Sequence, residues 1–88
     1  MNICFFIGKI CSNIQFDFII NSKNTSIVRF NIELSNGSII NVKAYNEIAD
    51  YCYRKLKLND EIFIQGYLDN KMELNLVYIK QRIKNFIK

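Results

Sequence analysis

The sequence predicts an all-β protein with one helix: a five-stranded antiparallel Greek-key barrel with the helix between the third and fourth strands. Three observations carry this. Ile40, Val42 and Ala44 alternate with Asn41, Lys43 and Tyr45, the period of a half-buried strand. The period then changes. Ile48, Ala49, Cys52 and Leu56 fall on one apolar stripe of a helix predicted over Asn46 to Leu56. After a break at Asn59-Asp60, Ile62, Ile64, Gly66 and Leu68 resume alternation, with Phe63, Gln65 and Tyr67 on the opposite face.

The remaining elements follow in chain order. Asn2 to Ile10 reads as the first strand, apolar on both faces through Ile3, Cys4, Phe5, Phe6 and Ile7. A strand with two apolar faces needs cover on both, and in a chain of 88 residues the second cover is expected from another subunit. The alternative is that Phe5 or Phe6 packs under the helix. Gly8 suits a bend where a small barrel curves. Ser12-Asn13 mark a kink, after which Ile14, Phe16, Phe18 and Ile20 continue the same strand. Residues Asn21 to Asn24 read as a loop. Ile27 to Leu34 reads as the second strand, with Val28, Phe30, Ile32 and Leu34 inward and Arg29, Asn31 and Glu33 outward. Asn36-Gly37 is a strong hairpin signal and predicts a type I′ turn, since both residues tolerate positive φ. Asp69-Asn70 predicts a second tight turn. The fifth strand runs from Met72 to about Ile83, and a short basic end follows to Lys88.

Composition bounds the function. Half of the residues are hydrophobic and 23% are charged, the balance of a globular chain. A chain this short buries only about 60% of its unfolded surface, which favours oligomerisation. No apolar run reaches the ~20 residues of a membrane span, and the N-terminus lacks the basic region and cleavage site of a signal peptide. The chain is therefore expected to be one domain over residues 1–88 in a reducing compartment, cytoplasmic or inside an organelle such as a plastid. The strong Ile and Asn bias reads as translation of an AT-rich genome. The formal net charge is +4, a mild bias towards polyanions. There is no His, and Cys4, Cys11 and Cys52 form no metal-ligand spacing. A structural zinc needs four nitrogen or sulfur ligands, and a catalytic Ser or Cys wants a His beside it. No metal, no cofactor and no enzymatic activity are expected.

An antiparallel barrel with its helix between strands three and four is the arrangement of the OB-fold, which binds single-stranded nucleic acid. The residues also resemble a family, the bacterial single-stranded-DNA-binding (SSB) proteins. The likeness runs without gaps from Ile40 to Leu68. It comprises a strand ending in Tyr45, the Ile48-Ala49 pair opening a helix, Leu56 closing it, and the Ile62, Ile64, Gly66, Leu68 pattern. Met1-Asn2 leading into Gly8-Lys9 and the Arg29-Phe30 pair agree in order. The resemblance implies an oligomer, dimer or tetramer, binding single-stranded DNA without sequence preference. It carries DNA contact onto Lys9, Arg29 and Tyr45. Three departures stand out. Both the second-to-third and fourth-to-fifth connections are short where the family often has long loops. No acidic C-terminal tail for recruiting repair proteins is found. The family's stacking Trp positions hold no Trp, so affinity per base is expected to be lower.

The residues support the same face independently. Alternation turns Asn41, Lys43 and Tyr45 outward beside Arg29 and Asn31, with Phe63, Gln65 and Tyr67 on strand four. Cations for phosphates beside rings for stacked bases are what a single strand requires. The expected nucleic-acid-binding residues are Lys9, Arg29, Asn41, Lys43, Tyr45 and Tyr67. Outward aromatics on a small β-protein also cover oligomer interfaces, and for Phe63 that reading is preferred. RNA stays open, because stacking and phosphate contacts do not read the 2′-OH. Two alternatives stand. One is a primosomal SSB-like replication accessory protein. The other is an OB-fold protein-interaction module that has lost nucleic-acid binding, which the outward charge on Glu33 and Glu47 keeps open.

Overall fold

The computed structural model describes residues 3–20 and 24–81. Met1 and Asn2, the loop residues 21–23 and the basic end from residue 82 lie outside the described residues. Among those described, the elements are β1 (Ile3–Ile10), β2 (Gln15–Ile19), β3 (Thr25–Glu33), β4 (Ile39–Tyr45), α1 (Asn46–Lys55), β5 (Glu61–Leu68) and β6 (Glu73–Gln81). β1 and β2 are the two halves of the first strand expected from the sequence. Both pair antiparallel with β3, and the kink falls between them. From Ile10↔Ile32 to Gln15↔Arg29, five steps of one strand oppose three of the other, so the kink inserts two residues. The insertion is tied down by Ser12, whose Oγ accepts a hydrogen bond from the Asn31 N–H at 2.8 Å, and by Cys11, whose N–H donates to the Asn31 carbonyl at 2.9 Å.

The sheet order is β1-β5-β6-β4-β3-β2, closed by the pairing of β1 with β3. This is the five-stranded barrel, with the helix in its expected place. One detail is corrected: β4 and β6 run parallel, with Asn41↔Glu73, Val42↔Leu74 and Lys43↔Asn75. Parity requires it. A closed ring with an odd number of strands cannot alternate direction all the way round, so one seam must be parallel.

The turn at Asn36-Gly37 also differs from expectation. Only Gly37 has positive φ, at 89°. The Gly37 N–H donates to the Leu34 carbonyl and the Leu34 N–H to the Ser38 carbonyl, both at 2.9 Å. This is a three-residue loop: a type I turn at Ser35-Asn36 followed by a left-handed Gly, the other common way to close a hairpin. The β5–β6 hairpin repeats the pattern at residues 70–72. There Met72 takes the left-handed position with φ of 62°, and its N–H donates to the Asp69 carbonyl at 3.0 Å.

Inward parity fills the core. Ile10, Val28, Phe30, Ile32, Val42, Ala44, Ile62, Ile64, Leu74 and Leu76 come from the strands, and Ala49, Cys52 and Leu56 from the helix stripe. Burial pushes the Cys52 thiol up to about 12, so it behaves as a small apolar residue. Glu47 in the first turn of α1, and Arg54 and Lys55 in its last, complement the helix dipole. Two close backbone approaches need glycine. A Cβ on Gly8 would stand 2.9 Å from the Glu33 carbonyl oxygen. On Gly66 it would collide with the Asn75 carbonyl oxygen, at the bulge where Gln65↔Tyr78 gives way to Gly66↔Leu76.

The outer side of β1 is apolar, as the sequence predicts. Ile3, Phe5 and Ile7 are exposed, and Phe5 stands edge-on to Phe63 at 6.5 Å between ring centroids. Phe6, on the inner side, packs against the core. Phe63 therefore lies on the outer face and not under the helix.

Candidate nucleic-acid interface

Strand pairing fixes which outward side chains are neighbours. One row across the barrel reads Gln15, Arg29, Lys43, Asn75 and Tyr67. The next reads Asn31, Asn41 and Glu73. Tyr45 lies one outward position beyond Lys43, opposite Ile27. Five of the six expected residues, Arg29, Asn41, Lys43, Tyr45 and Tyr67, therefore share one outer surface. Lys9 does not join them. It pairs in register with Glu33 and Glu61 at the other end of the barrel and lines a separate groove with Ile7 and Ser35.

An open groove of about 400 Å³ runs along the surface between the kink and β4. Its walls include Ser12, Gln15, Arg29, Asn31, Asn41 and Glu73. Side-chain amides here present both donors and acceptors, and Arg29 presents a half-open guanidinium with 46% of its side chain exposed. Tyr45 and Tyr67 offer rings at 40% and 37% exposure, open enough on one side for a base to stack. Parity along β3 would have pointed to Asn31. Gln15 could not be found that way, because only the two-residue insertion brings it beside Arg29.

The cations are not all free. Lys43 Nζ lies 3.1 Å from Asp69 Oδ2 and 3.1 Å from Glu73 Oε1, with only 13% of its side chain exposed. Burial alone would lower its pKa. The hydrogen bonds to Glu73 and Asp69 outweigh that and hold it above the ordinary lysine range. Arg29 Nε is 3.8 Å from the other oxygen of Glu73. Asp69 is held well below the usual carboxylate range by the Asn75 side-chain amide first, then by the Glu73 N–H and Lys43. Glu73 thus stands between two cations, and Asp69 ties the β5–β6 turn to β4. Neither acid was legible as a partner, because the parallel β4–β6 seam joins residues about thirty positions apart and leaves no local period.

With this geometry in hand, the barrel superposes on solved structures of known proteins. The SSB domain of a Synechococcus protein matches with a TM-score of 0.80 at 20% identity, covering 90% of this chain and 93% of that one. The chain has the fold of the single-stranded-DNA-binding proteins. The single-stranded DNA binding protein of Thermus aquaticus matches with a TM-score of 0.81 at 15% identity; this chain is covered in full and spans 43% of that one. The protein PriB of Ralstonia solanacearum matches with a TM-score of 0.78 at 8% identity, covering 94% of this chain and 99% of that one. Neither family models nor curated proteins match the sequence. Identities this low make the likeness one of fold. The SSB-type barrel here carries a polar groove on its outer β3–β4 face. Among its described residues no helix is long and apolar enough to cross a membrane.

Proposed function

We propose that this chain, as one OB-fold domain, binds single-stranded DNA without sequence preference and performs no catalysis. The observation that carries the reading is the amide-lined groove beside Arg29, flanked by the half-open rings of Tyr45 and Tyr67 on an SSB-type barrel. Each ring gives a base a face to stack on, and stacking tolerates any sequence. Asn41, Asn31 and Gln15 hydrogen-bond to whatever base edge or sugar lies over them. Arg29 meets a phosphate or stacks on a base. Lys43 plays a supporting part: its charge is matched by Asp69 and Glu73, so it braces the floor of the surface. Lys9 lies outside the groove and has no place in this contact.

The assembly proposed is a homo-oligomer formed through β1. That strand pairs with β5 along one edge, but with β3 only at Lys9 and Ile10. Its edge from Ile3 to Gly8 is therefore open among the described residues, beside the exposed row of Ile3, Phe5 and Ile7. An open edge next to an apolar face is self-complementary across a two-fold axis.

Fluorescence anisotropy with labelled oligo-dT tests the binding face. Tyr45→Ala is expected to weaken binding by about 1–3 kcal/mol, one stacked base. Its slope of log affinity against log salt should stay where it was. Equal affinity for the variant and the unmodified protein would show that the β3–β4 face is the wrong one.

A further inference from the structure

The groove read as the single-strand site carries no net charge. Arg29 and Glu73 are the two charged residues that line it. Lys43, beside them, is matched by Asp69 and Glu73. None of the chain's formal charge of +4 therefore comes from the residues lining the groove. The position of Glu73 is built into the fold. Its N–H donates to Asp69 Oδ1 at 3.1 Å, and its carbonyl accepts the Asp69 N–H at 3.1 Å. The residue also pairs with Asn41 across the parallel seam. Its carboxylate is shared between two cations: Oε1 lies 3.1 Å from Lys43 Nζ, and Oε2 lies 3.8 Å from Arg29 Nε. Lys43 has Asp69 as a second partner, also at 3.1 Å. Among the described residues, Glu73 is the one acid found in an ion pair with Arg29.

We propose that Glu73 is an internal competitor for the DNA phosphate: its carboxylate occupies the Arg29 guanidinium in the free protein, and a bound strand must take Arg29 from it. The proposal rests on the reading of the β3–β4 groove as a single-strand site and names the residue that limits affinity there. Carboxylate and phosphate oxygens are alternative acceptors for the same guanidinium N–H groups. The backbone of Glu73 is held by Asp69 and β4, so its charge stays in the groove wall when a strand arrives. Once Arg29 turns to a phosphate, one oxygen of Glu73 loses its cation and takes one from the salt solution. The counterion released from the DNA is then offset by the one taken up, so this contact adds little to the salt dependence of binding. Affinity in the groove then comes from stacking on Tyr45 and Tyr67 and from the side-chain amides, which depend little on salt.

Oligo-dT anisotropy at several salt concentrations tests this on Glu73→Gln, Arg29→Gln and the double variant. Glu73→Gln keeps the shape of the side chain and removes its charge. It is expected to bind about fivefold more tightly at low salt, the scale of one unit charge at about 4 Å in water. Its plot of log affinity against log salt should steepen by about 0.7, one phosphate on a single strand. Arg29→Gln should leave the slope as it is while Glu73 is charged, and the double variant should lose the whole gain. Glu47→Gln removes an exposed acid in the first turn of α1, outside the groove, and serves as the control. An equal gain there would assign the effect to overall charge and overturn the proposal. Weaker binding by Glu73→Gln would make Glu73 a residue that positions Arg29, and unchanged binding would detach the pair from DNA; either result overturns competition. So would a gain that survives in the double variant. Thermal melting shows whether the variants are folded. If Glu73→Gln is not, Arg29→Gln decides by itself: a slope flattened by about 0.7 would show Arg29 already free for phosphate and overturn the proposal. With Tyr45→Ala still weakened, each of these contrary results leaves the groove reading standing. Absence of any binding by the unmodified protein would overturn the groove reading and this proposal with it.

Discussion

Lys43 shows how far a single residue can depart from the role its position implies. Outward parity beside Tyr45 makes it a phosphate contact on sequence grounds, worth about 0.7 in salt slope on a single strand. The fold instead encloses it between Asp69 and Glu73, each at 3.1 Å. Lys43→Met is therefore expected to leave the salt slope for oligo-dT unchanged and to lower stability instead. The loss in urea denaturation should be about 1 kcal/mol, kept small because the carboxylates are partly exposed and solvent screens them. A flattened slope without loss of stability would return Lys43 to the phosphate contacts. The sequence could not reveal this pairing. Asp69 and Glu73 sit in a turn and at the start of a strand, and their partner lies across the parallel seam.

At the scale of elements, what was legible followed from period. The switch from alternation to a helical stripe and back located β4, α1 and β5, and parity separated core from surface on β3, β4 and β5. Backbone detail was less legible. The Asn36-Gly37 signal found the hairpin but not its turn, since a type I turn with a left-handed Gly uses the same dipeptide. The kink between β1 and β2 was visible at Ser12-Asn13. Its two-residue insertion was not, and that insertion places Gln15 beside Arg29. Gly66 illustrates a signal whose cause only the pairing reveals. It keeps inward parity with Ile62 and Ile64, yet β6 passes so close at its bulge that no Cβ fits before the Asn75 carbonyl. Gly66→Ala should push β5 and β6 apart and cost about 3 kcal/mol in chemical denaturation. A variant as stable as the unmodified protein would mean that the bulge relaxes freely.

At the scale of the molecule, two surfaces remain after the core is filled: the polar groove on β3 and β4, and the apolar outer side of β1. They face different tasks. The apolar side is expected to be covered by a second copy, so sedimentation at micromolar concentration should show a species heavier than the 10.4 kDa monomer. Phe5→Glu places a charge in the middle of that row and should return the protein to the monomer with its fold intact. A monomer before mutation would leave β1 an exposed edge and remove the case for assembly through it. Size and the two-sided strand are what make the sequence predict an oligomer, and the open edge of β1 among the described residues offers a geometry for the proposed contact.

The central claim is that single-stranded DNA lies on the β3–β4 face, and backbone amide chemical-shift mapping with unlabelled oligo-dT tests it most directly. The prediction is a contiguous set of shifts at Gln15, Arg29, Asn31, Asn41 and Tyr45, extending to Tyr67, with the amides of Ile3 to Ile7 unmoved. Shifts confined to the outer side of β1 and to Phe63, with the groove silent, would contradict it.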